Sequence, residues 1–126
     1  MIQANELRPN NWLLRHDGLQ VQISNVGRKG TNIGPDDFPV YLEWDKFSPI
    51  PLTPEILEKC GFGTINNPNY TDSFLCYHPL LKLVFDKINK KISLRDYSGV
   101  RQSINYLHQL QNLYFSLTGE ELNYTP

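Results

Sequence analysis

From residue 102 to residue 118 the chain reads QSINYLHQLQNLYFSLT, seventeen residues without one Asp, Glu, Lys or Arg, in a protein that is 20% charged overall. Placed on a helix at about 100° per residue, Ile104, Leu107, Leu110, Tyr114 and Leu117 form one apolar arc. Tyr106, Leu113 and Phe115 widen the arc past half the circumference, and only Asn105, Gln109, Asn112 and Ser116 make a coherent wet stripe. A helix this apolar and uncharged has to be buried, either by its own domain or by a partner, so self-association through this C-terminal helix is an open variant. Gln111 falls inside the arc and His108 on its edge, so two polar groups enter a place where they need hydrogen-bond partners.

At 126 residues the chain fits a single domain, 1–126, with a core of its own. The net charge of −1 supplies no global field to recruit nucleic acid or an anionic membrane. Residues 80–101 are locally basic: Lys82, Lys87, Lys90, Lys91, Arg95 and Arg101 stand against Asp86 and Asp96, a balance of +4. A solvated hairpin accounts for that balance; an anion-binding face is the functional alternative. The opening Met1-Ile2-Gln3 reads as polar sequence rather than a signal peptide, and no apolar run approaches the ~20 residues needed to span a bilayer. A cytoplasmic protein with free thiols at Cys60 and Cys76 is therefore expected.

The first third reads as short strands. Residues 12–16 are followed by Asp17-Gly18, a dipeptide suited to a tight hairpin, and then Leu19, Val21 and Ile23 alternate with Gln20, Gln22 and Ser24. Residues 27–30 read as a loop, with further strands around Val40-Tyr41-Leu42 and residues 47–50. The pattern predicts a small N-terminal SH3-like β-barrel over residues 1–52. Thr53-Pro54-Glu55 opens a short helix with a cap, a proline at the first position and an acid at the positive end of the dipole, and Gly61 closes it. Residues 63–72 read as loop. Residues 73–78, 80–88 and 92–97 read as three strands with Asn89-Lys90 at the last tip; Leu81, Leu83 and Phe85 share a face, opposed by Ile92 and Leu94. The long helix follows, capped by Ser98 or Ser103 and ended by Gly119, and the last seven residues are expected to fray. The fold class is α+β, with residues 53–126 contributing a helix, strands and the C-terminal helix to a shared core.

Catalytic and metal signatures are missing. His16, His78 and His108 have no paired spacing, the two cysteines form no CxxC, and no hydrolase or phosphate-loop motif is present, so neither enzyme activity nor a cofactor is expected. Cys76-Tyr77-His78 places a thiol and an imidazole two residues apart with no third group to orient the histidine. Glu120-Glu121 opposes the macrodipole of the helix that precedes it, which a salt bridge to a basic strand residue would explain. Two constellations remain. Tyr41, Trp44 and Phe47 cluster with Trp12, as core or as an exposed stacking surface for bases or peptide side chains. His108, Gln111 and Asn112, with Arg95 and Arg101 near in sequence, form either a satisfied buried network or a pocket for a small anionic ligand.

Three segments carry a resemblance. Asn5-Glu6-Leu7-Arg8 with Asn11-Trp12 resembles an NELRIGNW opening; Pro49-Ile50-Pro51-Leu52-Thr53 through Gly61-Phe62 resembles PIPLTEEWLLKFGF; and Tyr106 to Phe115, continuing to Leu122, resembles YVHQLQNLYFALTGEEL. Together they are similar to a family of small proteins encoded by phages and mobile elements of anaerobic gut bacteria. The chain departs from that pattern at Pro9, where the family has Ile-Gly, and in its charged middle. The matched segments carry no catalytic residue to transfer. What the resemblance implies is an accessory role exercised by binding, counter-defence in type, directed at a host protein or a small anionic, nucleotide-like signal. A single-stranded nucleic-acid module using Lys82, Lys87, Lys90 and Lys91 is the alternative that net acidity disfavours, and a structural or assembly role is the third.

Overall fold

A computed structural model describes residues 2–33, 40–65, 73–78, 81–86, 91–94 and 102–126. The chain is mixed α+β, with several small antiparallel sheets and one long helix. β1 (Trp12–Arg15) and β2 (Gln20–Gln22) form the hairpin that Asp17-Gly18 predicts. Gly18 takes φ +90°, and the Arg15 N–H donates to Leu19 O at 2.8 Å. β3 (Gly30–Ile33) and β4 (Val40–Glu43) form a second hairpin. β3 begins inside the stretch expected to be loop, because Gly30 lets two backbones approach where a Cβ would collide with Leu42 O. β5 (Phe47–Ser48) returns to β1, giving the order β2-β1-β5. The N-terminal strands thus make two separate sheets, with no closed barrel among the described residues.

β1 is packed on both faces. Leu13 enters a cluster with Ile2, Leu7, Ile23, Trp44 and Phe47. Trp12 and Leu14 lean against a larger cluster built from Ile50, Leu52, Leu57, Cys60, Phe62, Leu83, Ile92, Ile104, Leu107, Leu110 and Tyr114. α1 (Pro54–Lys59) feeds that second core as its cap signals predict: Thr53 Oγ1 accepts from the Ile56 N–H at 3.3 Å. Gly61, at φ +91°, ends it in a Schellman motif, in which the Phe62 N–H reaches Leu57 O and the Gly61 N–H reaches Glu58 O.

A five-stranded antiparallel meander follows: β6 (Gly63–Ile65), β7 (Ser73–His78), β8 (Leu81–Asp86), β9 (Lys91–Leu94) and β10 (Gln102–Ile104), in spatial order β10-β9-β8-β7-β6. Its register sets Leu83 opposite Leu94 and Phe85 opposite Ile92, as the alternation predicts. Two expectations are corrected here. Gly63–Ile65 is a strand rather than loop, since β7 offers it a ladder partner. Residues 102–104 are strand rather than the first turn of the helix: Gln102, Ser103 and Ile104 pair with Leu94, Ser93 and Ile92, and Ile104 is buried beside Ile92. The expected tip at Asn89-Lys90 lies outside the described residues.

α2 (Leu107–Thr118) therefore starts at Tyr106, not at Ser98 or Ser103. Its first turn is closed by Gln109, whose Oε1 accepts from the Asn105 N–H at 3.0 Å and the Tyr106 N–H at 3.3 Å, the returning half of a capping box. Gly119, at φ +74°, ends it as predicted. The chain's own sheet and α1 cover the apolar arc: Leu107, Leu110 and Tyr114 are buried, but so are His108 and Gln111. The buried arc is thus centred between Leu107 and Gln111, which leaves Leu117 about 100° off its centre and 59% exposed, against the expectation that it is core. The C-terminal residues do not fray. Leu122 and Tyr124 are buried, the Tyr124 ring meets Trp12 edge-on at 5.5 Å, and its hydroxyl donates to Gln20 Oε1 at 2.6 Å. Among the described residues no helix is long and apolar enough to cross a membrane.

This packing separates two leucines of one helix. Leu110→Ala should lower the free energy of unfolding by ~2–5 kcal/mol, as a cavity in a closed core does, whereas Leu117→Ala should change it by less than about 0.5 kcal/mol. Urea denaturation of both variants measures the difference.

Candidate functional site

The densest polar assembly lies where residues 6–12 cross α2. Asn10 adopts φ +77°, a left-handed geometry that Asn tolerates better than most side chains. Its N–H donates to Ile23 O at 2.7 Å, and the Ile23 N–H donates to Asn11 O at 2.9 Å, which ties the arm to the end of the first hairpin. The Asn11 side chain accepts from the Arg8 N–H at 2.8 Å, folding the arm on itself.

Two neighbouring amides on α2 receive this arm. Gln111 Oε1 accepts from the Trp12 N–H at 2.9 Å, while Gln111 Nε2 donates to Asn10 O at 3.1 Å. Asn112 Oδ1 accepts from Asn11 Nδ2 at 2.9 Å and from Arg8 Nη1 at 3.3 Å, and Asn112 Nδ2 donates to Glu6 O at 3.0 Å. Arg8 also pairs with Glu121 Oε1 at 2.6 Å and lies over the Phe115 ring, 3.8 Å from its centroid. The acid past the helix end is thus matched by a cation, though from the N-terminal arm rather than a strand. The guanidinium covers part of an aromatic face that the helix otherwise leaves half open.

His108 sits one turn before Asn112, 1% exposed, with its ring stacked at 9° on that of Tyr106. Its Nε2 is 3.5 Å from Glu6 Oε1, too long for a good hydrogen bond, and neither ring nitrogen has a hydrogen-bond partner. Burial holds its pKa below the ordinary 6.5, and the Glu6 carboxylate opposes that shift without reversing it. Cys60 carries a free thiol in the core, and burial pushes its pKa to about 12, so it is not a thiolate near neutrality. No group of three or more His, Cys, Asp or Glu among the described residues is arranged to hold a metal ion.

The residues singled out in the sequence divide by this geometry. His108, Gln111 and Asn112 come together, and both amides bond to the chain's own arm through oxygen and nitrogen alike. Trp44 is buried, stacked obliquely on Phe47 at 5.9 Å, with its indole N–H donating to Gly27 O at 3.0 Å. It is core, which corrects the exposed-surface alternative at that position. Tyr41 is 52% exposed on β4, beside Val40 at 51%. Lys82 and Lys91 have backbones in β8 and β9, opposite Tyr77 and Asp86. Arg95, Arg101, Lys87 and Lys90 lie outside the described residues, and nothing is described of the Cys76 and His78 side chains. The sequence reading missed Glu6, Arg8, Asn10 and Asn11 as partners of the helix amides. Their only signal was the Asn-rich opening segment itself.

Two outcomes test this reading of the junction. Gln111→Leu should destabilise by about 1–3 kcal/mol, because it strands the Trp12 N–H, while the Asn10 carbonyl keeps Gln22 Nε2 as a donor at 3.1 Å. For His108, a folded-state pKa below 6.5 means that the neutral ring's contribution is fully present above pH 6.5 and is lost as pH falls from there through the folded value. His108→Leu should flatten that part of the stability profile and leave stability at pH 7.5 unchanged or higher, as read by denaturant titrations at pH 7.5 and 5.5. Comparison of the chain with protein-family models, with curated proteins and with solved structures gives no match.

Proposed function

We propose that this chain is a non-catalytic accessory binding protein of the phage- and mobile-element kind that its three motifs resemble, working in a bacterial cytoplasm by engaging a host protein. The observation that carries this reading is where the unspent contact groups lie. The side-chain amides of the arm–helix junction are engaged within the chain, while Val40 and Tyr41 stand more than half exposed on neighbouring positions of β4. Adjacent strand residues point to opposite faces, so both faces of this hairpin end offer apolar surface. An exposed tyrosine combines ring area with a polar tip at little entropic cost, which suits a protein contact. The small-barrel reading of residues 1–52 belongs to the same proposal, supported by one hydrophobic cluster that takes residues from both N-terminal sheets.

A small anionic ligand is less favoured, because His108 and Gln111 are buried in the junction. Nucleic acid keeps one supporting feature: Lys82 and Lys91 belong to the locally basic stretch and have their backbones in the neighbouring strands β8 and β9. To test the proposal, the wild-type chain and a Val40→Ser/Tyr41→Ala double variant of equal thermal stability would each be used to capture proteins from lysate of the host cell. One host protein retained by the wild type and lost from the variant is the expected result. Equal capture by both, or oligonucleotide binding at physiological salt that falls steeply as salt is raised, would overturn it.

A further inference from the structure

Among the described residues, the β3–β4 hairpin has one edge closed and the other open. The Trp44 N–H donates to Lys29 O at 3.0 Å, and continuing the register of Gly30 opposite Glu43 sets Lys29 against Trp44. Hydrogen-bonded and non-hydrogen-bonded pairs alternate along an antiparallel ladder, so Thr31–Leu42 and Ile33–Val40 are the bonded pairs between these strands. Gly30 and Asn32 then direct their main-chain groups outward from β3. Their partners agree: Gly30 O accepts from the Gly27 N–H at 2.9 Å, and the Asn32 N–H donates to Asn25 Oδ1 at 3.1 Å. The outer edge of β3 is therefore filled by the preceding loop. By the same phase Tyr41 and Glu43 direct their N–H and C=O groups outward from β4, where no described strand pairs with them. Proteins ordinarily blunt such an edge with lysine, proline or a covering segment, and Val40–Glu43 contains neither residue.

We propose that this edge of β4 pairs antiparallel with β4 of a second copy of the chain, about a two-fold axis at Leu42, making a four-stranded sheet β3-β4-β4-β3. Within Val40–Glu43 that register is the one that uses both outward-facing residues of each copy in full. Centred on Leu42, Tyr41 of one copy faces Glu43 of the other in a hydrogen-bonded pair, twice, for four main-chain bonds. Centred on Tyr41, only the Tyr41–Tyr41 pair falls within Val40–Glu43, for two main-chain bonds. Centred on Glu43, two carboxylates would lie directly opposite, which is destabilising. The favoured register places a tyrosine beside each carboxylate and the two Leu42 side chains beside each other. The outward Tyr41 rings stay accessible, so the pair would show two copies of the surface proposed above for a host protein, and neither proposal requires the other.

The test uses the full chain. Glu43→Pro removes the outward N–H while leaving the ladder to β3 intact, and Glu43 already has φ −73°, the value proline imposes. Sedimentation equilibrium should find a concentration-dependent dimer for the wild type, and a dissociation constant at least about tenfold weaker for the variant, which loses two of the four bonds. A wild type that is monomeric at its highest soluble concentration, or a folded variant that dimerises equally well, overturns the proposal. Should the variant lose its circular dichroism spectrum, amide exchange of the wild type decides. Tyr41 and Glu43 protection that rises with protein concentration supports the pairing, and protection independent of concentration refutes it.

Discussion

Two adjacent side-chain amides hold the N-terminal half of this protein to the C-terminal half. Gln111 and Asn112 project from one turn of α2 and bind the main chain at Glu6, Asn10 and Trp12, together with the side chains of Arg8 and Asn11. Gln111 is fully buried, so each of its bonds replaces a water that the core cannot supply. Removing Gln111 leaves the Trp12 N–H without its acceptor, and the cost of an orphaned group exceeds the modest net value of the bond itself. The amides thereby fix the position of β1, and β1 is the wall between the two cores, with Leu13 on one side and Trp12 and Leu14 on the other. Directional bonds set the geometry, and the apolar clusters on either side supply the bulk of the favourable free energy.

The three motif-bearing segments, at residues 5–12, 49–62 and 106–122, pack together around this junction. The opening segment supplies the arm. The last supplies the helix amides, His108 and Tyr114. The middle one supplies Ile50, Leu52, Leu57 and Phe62 to the core under the helix, and the Leu107 N–H donates to Ile50 O at 2.9 Å. The motif residues are thereby accounted for by packing and by satisfaction of polar groups. A binding surface has to be sought where side chains are left over, and on the described part of the chain that points to β4. His108 stands apart within the junction, because it is buried without the hydrogen bonds its neighbours have. Protonating its ring would therefore place a charge in a site that offers it only the Glu6 carboxylate.

Local signals in the sequence were enough to place α1, the turn at Asp17-Gly18, the end of α2 at Gly119 and the facing of Leu83 and Phe85 against Leu94 and Ile92. Each depends on contacts within a few residues, or on a period that one strand imposes on the next. The sequence also determined that the uncharged stretch would be buried, since no other place suits it. Where that stretch changes from strand to helix was decided by tertiary structure. β9 has an edge to be paired, and residues 102–104 pair with it despite an uninterrupted helical pattern. The facing of α2 was decided in the same way: the arm's main-chain groups draw Gln111 inward, and Leu117 is turned out as a result. Tyr124 looked like a fraying end because its partners, Trp12 and Gln20, lie about a hundred residues away in sequence. A polar side chain or a chain terminus carries no local mark of a distant partner, so only the assembled fold assigns those contacts.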